Sequence, residues 1–294
     1  TERNPLITST YGVGEMIADA ISKGASQMLI GLGGSATNDA GAGMLQALGV
    51  KISDANGNLL SAGGASLIDT HSIDASPLKD LLSTVKITVA CDVTSPLCGP
   101  TGASHVFGPQ KGASSDDVLT LDRALAHFAS ITKSIANSST GSHNINANCA
   151  DIEGAGAAGG LGFALMAYCQ AELKSGFDTI AEVVKLDQHL THADLVITGE
   201  GKLDAQTAMG KVASGVALRA KSISPSLPVI AICGSVDRDT DTHNHFNNLP
   251  FDVVLPSIQK LDKLENVLEG AYPNVAQTAY QLAASLKLGQ HLNR

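Results

Sequence analysis

The sequence predicts a two-domain α/β protein with mostly parallel sheets, and three observations predict it. Short apolar runs alternate with helix-period patterns along the chain. Glycine and polar residues collect immediately after those runs. The length, 294 residues, exceeds that of one ordinary domain, taken as roughly 150.

The apolar runs of strand length are 27–32, 85–91, 194–198, 228–233 and 251–255. Helical patterns separate most of them, at 12–23, 39–48, 115–135, 157–174, 177–190, 206–221 and 272–287. Strand followed by helix and again strand implies parallel pairing, because such crossovers return to the same end of a sheet. Hydrophobic residues make up 44% and aromatic residues 3%, with no Trp, so the core has to be built from Ala, Val, Ile and Leu. Between about 40 and 185 the texture changes, with an Asn56-Gly57 turn and a Ser/Asn-rich patch at 137–148, and this stretch reads as a separate inserted domain.

A net charge of −9 argues against nucleic-acid binding, which depends on Lys and Arg neutralising phosphates. Five cysteines, at 91, 98, 149, 169 and 233, form no CxxC pair and fit reduced thiols in the cytoplasm. No signal-peptide pattern opens the sequence, and the uncharged stretch 154–171 carries too many glycines for a membrane span, so neither export nor a membrane partner is expected. The nine histidines show no HExxH spacing, and there is no GxSxG elbow, which leaves hydrolase readings without support.

The residues just past each strand carry the chemistry. Gly33, Gly34 and Ser35 come after the first run, Asp92 after the second, Gly199 to Lys202 after the third and Gly234-Ser235 after the fourth. In open α/β sheets ligands bind at that carboxyl rim. Ser35-Ala36-Thr37-Asn38-Asp39 is expected to cap the next helix while the glycines let phosphate approach. Gly31 to Ala36 also satisfies the loose dinucleotide fingerprint, with Asp54 about twenty residues on, so a nicotinamide-dependent oxidoreductase stays open. No P-loop motif is present, because Gly201-Lys202 is followed by Leu203 and Gly210-Lys211 by Val212. Gly199 to Asp204 is read as a turn holding Glu200, Lys202 and Asp204: carboxylates for Mg²⁺ or an attacking hydroxyl, and a cation for charge on a transferred phosphoryl group. Lys111, in the Gly102 to Gly112 loop, is a candidate anion binder. The glycine-rich 154–162 segment serves close helix packing or phosphate approach.

Taken in order, the strings resemble the glycerate kinase family. They are Arg3-Asn4-Pro5-Leu6 with Tyr11-Gly12, GGSATND at 33–39, ACDV at 90–93, GAS-x-VFGPQKGA at 102–113, GAGAAGGLG at 154–162, LKSGFD at 173–178 and DLVITGEGKLDAQT at 194–207. The resemblance implies ATP-dependent phosphorylation of D-glycerate with Mg²⁺. On it, Asp92 and Asp204 serve metal or hydroxyl with Glu200 beside them. Gly33, Gly34, Ser35, Asn38, Asp39 and Gly199 hold substrate or phosphate, and Lys111 and Lys202 offset negative charge. It further implies a Rossmann-like domain formed by 1–40 and 185–294, incomplete at its N-terminus, with 41–184 inserted. The family's PDSFKGS-like and DGGEGT-like strings are absent, so Thr1 is expected to follow a missing segment. Two expectations go with that absence: an inactive fragment acting as a binding module, or completion by a complementing N-terminal segment or a homo-oligomer.

Overall fold

The computed structural model describes residues 3–137, 144–203, 212–236 and 250–292. They fall into two compact units, Thr1–Gly176 and Phe177–Arg294.

The first unit carries a parallel sheet of β1 (Gln27–Gly31), β4 (Lys86–Ala90) and β5 (Glu172–Lys174), ordered β1-β4-β5. Gln27 pairs with Lys86 and Gly31 with Ala90, while Thr88 to Ala90 pair with Glu172 to Lys174. A small antiparallel hairpin, β2 (Lys51–Ser53) with β3 (Ser72–Asp74), stands apart from it. The helices are α1 (Tyr11–Ser22), α2 (Ala42–Ala47), α3 (Pro77–Leu81), α4 (Ala103–Phe107), α5 (Ser115–Asn137), α6 (Ala157–Cys169) and, at the junction of the units, α7 (Gly176–Val183).

Local chemistry sets these boundaries. Ser114 and Asp117 form a reciprocal capping box at the start of α5: Ser114 N–H donates to Asp117 Oδ2 (2.8 Å) and Asp117 N–H to Ser114 Oγ (3.2 Å). α6 is the hydrophobic axle, buried along nearly all its length. Its Phe163 meets Phe128 of α5 edge-on at 6.4 Å between centroids, and Tyr168 lies 6.5 Å from the same ring. The Tyr168 hydroxyl and Thr132 Oγ1 share a hydrogen bond of 2.8 Å, which satisfies both polar atoms inside the core.

The second unit carries β6 (Val196–Leu203), β7 (Val229–Val236) and β8 (Val253–Pro256), all parallel in that order. With them go α8 (Leu186–Thr191), α9 (Val212–Ile223), α10 (Leu264–Glu269) and α11 (Ala271–Leu292). Leu190, Val196, Ala217, Ala220, Leu227 and Val229 make its core.

All five expected strands form. β5 was hidden, since Glu172–Lys174 lies inside the apolar pattern read as one helix over 157–174; the helix stops at Gln170, whose φ of +53° turns the chain into the strand. The expected helix 177–190 is broken by Lys185 at φ +53°. β1 spends its ladder hydrogen bonds on β4, within the first unit, and the division between the two units falls at 176/177.

Candidate active site

Parallel register places the ends of β1 and β4 side by side. Leu32 N–H donates to Ala90 O (3.0 Å), carrying the ladder one step past β1, and the chain then opens into Gly33, Gly34 and Ser35. Both glycines are exposed, Gly34 has φ +61°, and a Cβ on either would meet nothing within 4 Å. Here the glycines leave an uncovered stretch of backbone. Beside them, Asp92 is exposed beyond β4 and its Oδ1 accepts from Gly176 N–H at 2.7 Å. A Cβ on Gly176 would stand 2.7 Å from Asp92 Oδ2, so only glycine lets the β5–α7 connection come this close.

The next residues turn inward. Asn38 and Asp39 are buried, and four segments clamp the stretch they occupy. Thr8 Oγ1 donates to Ala36 O (2.9 Å), Lys111 Nζ to Thr37 O (2.7 Å), Asn38 Nδ2 to Ser104 Oγ (2.8 Å) and Ala40 N–H to Gly159 O (3.0 Å). Two glycines press on the same backbone: a Cβ on Gly159 would lie 2.0 Å from Thr37 O, and one on Gly64 2.0 Å from Asn38 O. Gly159 also has φ +70°, closed to most side chains.

Asp39 is filled from within. Its Oδ2 accepts from Thr10 N–H (2.7 Å), Thr10 Oγ1–H (2.9 Å) and Gly43 N–H (3.3 Å), and its Oδ1 from Gly41 N–H (3.1 Å). Burial nonetheless raises its carboxyl above the ordinary 3.8, against the lowering effect of these bonds. The helix-capping expected of Ser35, Thr37 or Asn38 is not seen: α2 begins at Ala42 with Gly41 at its N-cap, and Asp39 Oδ2 accepts from Gly43 N–H in the first turn. Lys111, the candidate anion binder, is buried at 5% exposure; burial pulls its ammonium down to about 8 from 10.5, with Asp39 opposing.

Gly199 to Leu203 is strand rather than the expected turn. β6 continues beside β7, pairing Gly199 with Ile232, Glu200 with Cys233 and Lys202 with Ser235. The glycines permit it: a Cβ on Gly199 would lie 2.2 Å from Ile232 O, and one on Gly234 2.3 Å from Gly201 O. Strand alternation puts Glu200 and Lys202 on one face of this sheet. Burial raises the Cys233 thiol above its ordinary value, and the Glu200 charge adds to the shift. Asp204 lies outside the described residues.

Among the described residues no group of three or more His, Cys, Asp or Glu is arranged to hold a metal. Mg²⁺ takes one or two carboxylates together with substrate phosphates, a role that exposed Asp92, an oxygen donor at the rim, fits. The sequence missed Thr10, Ser104 and Gly159 as clamps, although each lies in or beside a string already singled out. Asp54, the candidate ribose acid, instead accepts from Asn56 and Asn58 N–H (2.9 and 2.8 Å), closing its own turn.

The family model described as the glycerate kinase family matches residues 1–287. The glycerate kinase of Bacillus subtilis is 46% identical over 290 residues, 98% of this chain and 72% of that protein. The glycerate 2-kinase of Escherichia coli is 44% identical over 289 residues, with the same shares. A crystal structure described as a glycerate kinase 2 from Salmonella typhimurium LT2 superposes with a TM-score of 0.81 at 44% identity, over 99% of this chain and 72% of that one. The motif loop, its clamps and the match along nearly the whole chain lead to one conclusion: the chain belongs to the glycerate kinase family.

Proposed function

We propose that the protein transfers the γ-phosphoryl group of ATP to a hydroxyl of D-glycerate in the presence of Mg²⁺, in the cytoplasm. The observation that carries this reading is the convergence of segments around Thr8–Thr10, Ser104–Lys111 and Gly159 on the Gly33–Asp39 loop beside Asp92. Phosphoryl transfer calls for positioning and charge neutralisation more than covalent chemistry, and a held loop supplies positioning.

In this reading Gly33, Gly34 and Ser35 present open backbone to the substrate or phosphate. Asp92 serves the metal or orients the attacking hydroxyl. Glu200 and Asp204 are proposed as carboxylates, Lys202 as a cation and Gly199 as a point of close backbone approach, each on the family resemblance of its string. Mg²⁺, held by carboxylate and phosphate oxygens, would offset charge on the transferred group. Asn38 and Asp39 act through the loop they hold, a role that their burial supports. No helix among the described residues is long and apolar enough to cross a membrane, and all five cysteines are free thiols. The nicotinamide reading is not favoured by the family match.

The test is ADP release by the purified protein with ATP, Mg²⁺ and D-glycerate. Release that depends on D-glycerate, and falls at least about a hundredfold in Asp92→Asn, is the expected result. Folded protein that gives no glycerate-dependent ADP sinks the reading.

A further inference from the structure

We propose that Lys111 is a positioning residue, whose buried ammonium holds the Ser35 to Asn38 loop through the Thr37 carbonyl and does not itself touch substrate. The inference rests on the reading of this rim as the transfer site.

Two neighbours meet Thr37 O: Gly159, where even a methyl group would come within 2.0 Å of it, and Lys111, whose Nζ donates to it at 2.7 Å. A charged donor makes the stronger and shorter bond, which matters for a carbonyl that defines where the open Gly33 to Ser35 backbone points. The lysine is placed by a short 3-10 turn, Pro109–Lys111, which Gly112 closes at φ +97°. Gly112 backs so closely onto Arg3 that a Cβ there would lie 2.7 Å from Arg3 O. Charged and titratable groups are found on the loop and on the elements next to Lys111 in sequence. Asp39 lies on the loop itself, Arg3 donates from Nη1 to Gln110 O at 3.0 Å, His105 of α4 faces Asp122 of α5 at 3.9 Å, and Asp116 and Asp117 open α5.

Burial makes this ammonium titrate near 8, so its charge is lost in mildly alkaline solution while the fold is kept. The sign separates function from stability. A lysine whose folded pKa lies below its unfolded one contributes more stability as pH rises from about 8 toward 10.5, so the fold is not weakened there by this group. The loop, however, loses its charged tether.

Two measurements decide. The first tracks backbone amides of Thr37, Asn38 and Ala40 by NMR against pH in the protein without substrate. The expected result is a common midpoint between about 7 and 9, shared with the Lys111 side-chain signal. Loop amides that do not move in that window overturn the proposal, and so does a Lys111 midpoint raised by a unit or more on adding ATP, which would put the ammonium on the substrate. The second compares turnover against pH. Wild-type protein loses activity above about pH 8, approaching tenfold per unit, while Lys111→Arg, whose charge does not titrate there, keeps its activity to higher pH. An unchanged alkaline limb in an active arginine variant overturns the inference. Titrating loop amides in a protein with no turnover at all would uphold the clamp and sink the glycerate reading instead.

Discussion

Asp39 and Gly33 sit six positions apart in one string and do opposite things. Asp39 is buried and accepts from Thr10, Gly41 and Gly43, so its job is to weld α1 to the start of α2. Replacing it with Asn turns one acceptor into a donor among donors. Asp39→Asn is expected to lower unfolding free energy by about 1–3 kcal/mol in urea titration. Gly33 faces open space, so a methyl group there meets no protein atom. Gly33→Ala should leave stability within about 1 kcal/mol of wild type, yet reduce turnover, because on the proposed function the methyl group would stand where substrate approaches. A Gly33→Ala protein with full activity would remove that residue from the site. Gly159 is the third case: at φ +70° and against Thr37 O, Gly159→Ala should destabilise by about 2–4 kcal/mol and disturb the loop as well.

At the scale of elements, the α5–α6 pair and the α7–α9 region contrast in what holds them. Phe128 is fully buried between Phe163 and Tyr168, and Phe128→Ala is expected to cost about 3–5 kcal/mol by the loss of burial and the cavity left behind. Arg219 on α9 reaches Asp178 of α7 at 2.9 Å and Asp187 of α8, but these carboxylates are about half exposed. Water screens such pairs, so Arg219→Ala should cost under about 1 kcal/mol, and less in high salt. β6 shows how an element can outrun its sequence pattern. The apolar run ends at Thr198, and the Gly-Glu-Gly-Lys string after it has the composition of a turn. β7 nevertheless offers a matching row of hydrogen bonds as far as Val236, and glycines at 199 and 234 remove the side chains that would block it.

Across the whole molecule, pH acts on several carboxylates in one direction. Asp54, Asp74, Asp117, Asp187, Asp252 and Asp262 are held below their ordinary value by hydrogen bonds and neighbouring cations, Asp262 down to about 2. A lowered carboxyl contributes stability above its unfolded value near 3.8 that is lost as pH falls through the folded one. Thermal midpoints should therefore drop on acidification from about pH 4 toward 2, while Asp39, raised by burial, acts in the other sense and only above that range. A midpoint that rises over that range would contradict the assignment. The sequence by itself determined the α/β class, all five main strands, most helices and the family, because strand and helix periods and long contiguous strings are local properties. It also placed Gly33, Gly34, Ser35 and Asp92 at strand ends. It did not reveal that Asn38, Asp39 and Lys111 point inward, that β5 comes after α6, or that β1 belongs with β4. Those were decided by tertiary structure, since burial, ladder pairing and the near-contact of Gly159 with Thr37 join residues far apart in the chain, whose distances no local pattern encodes.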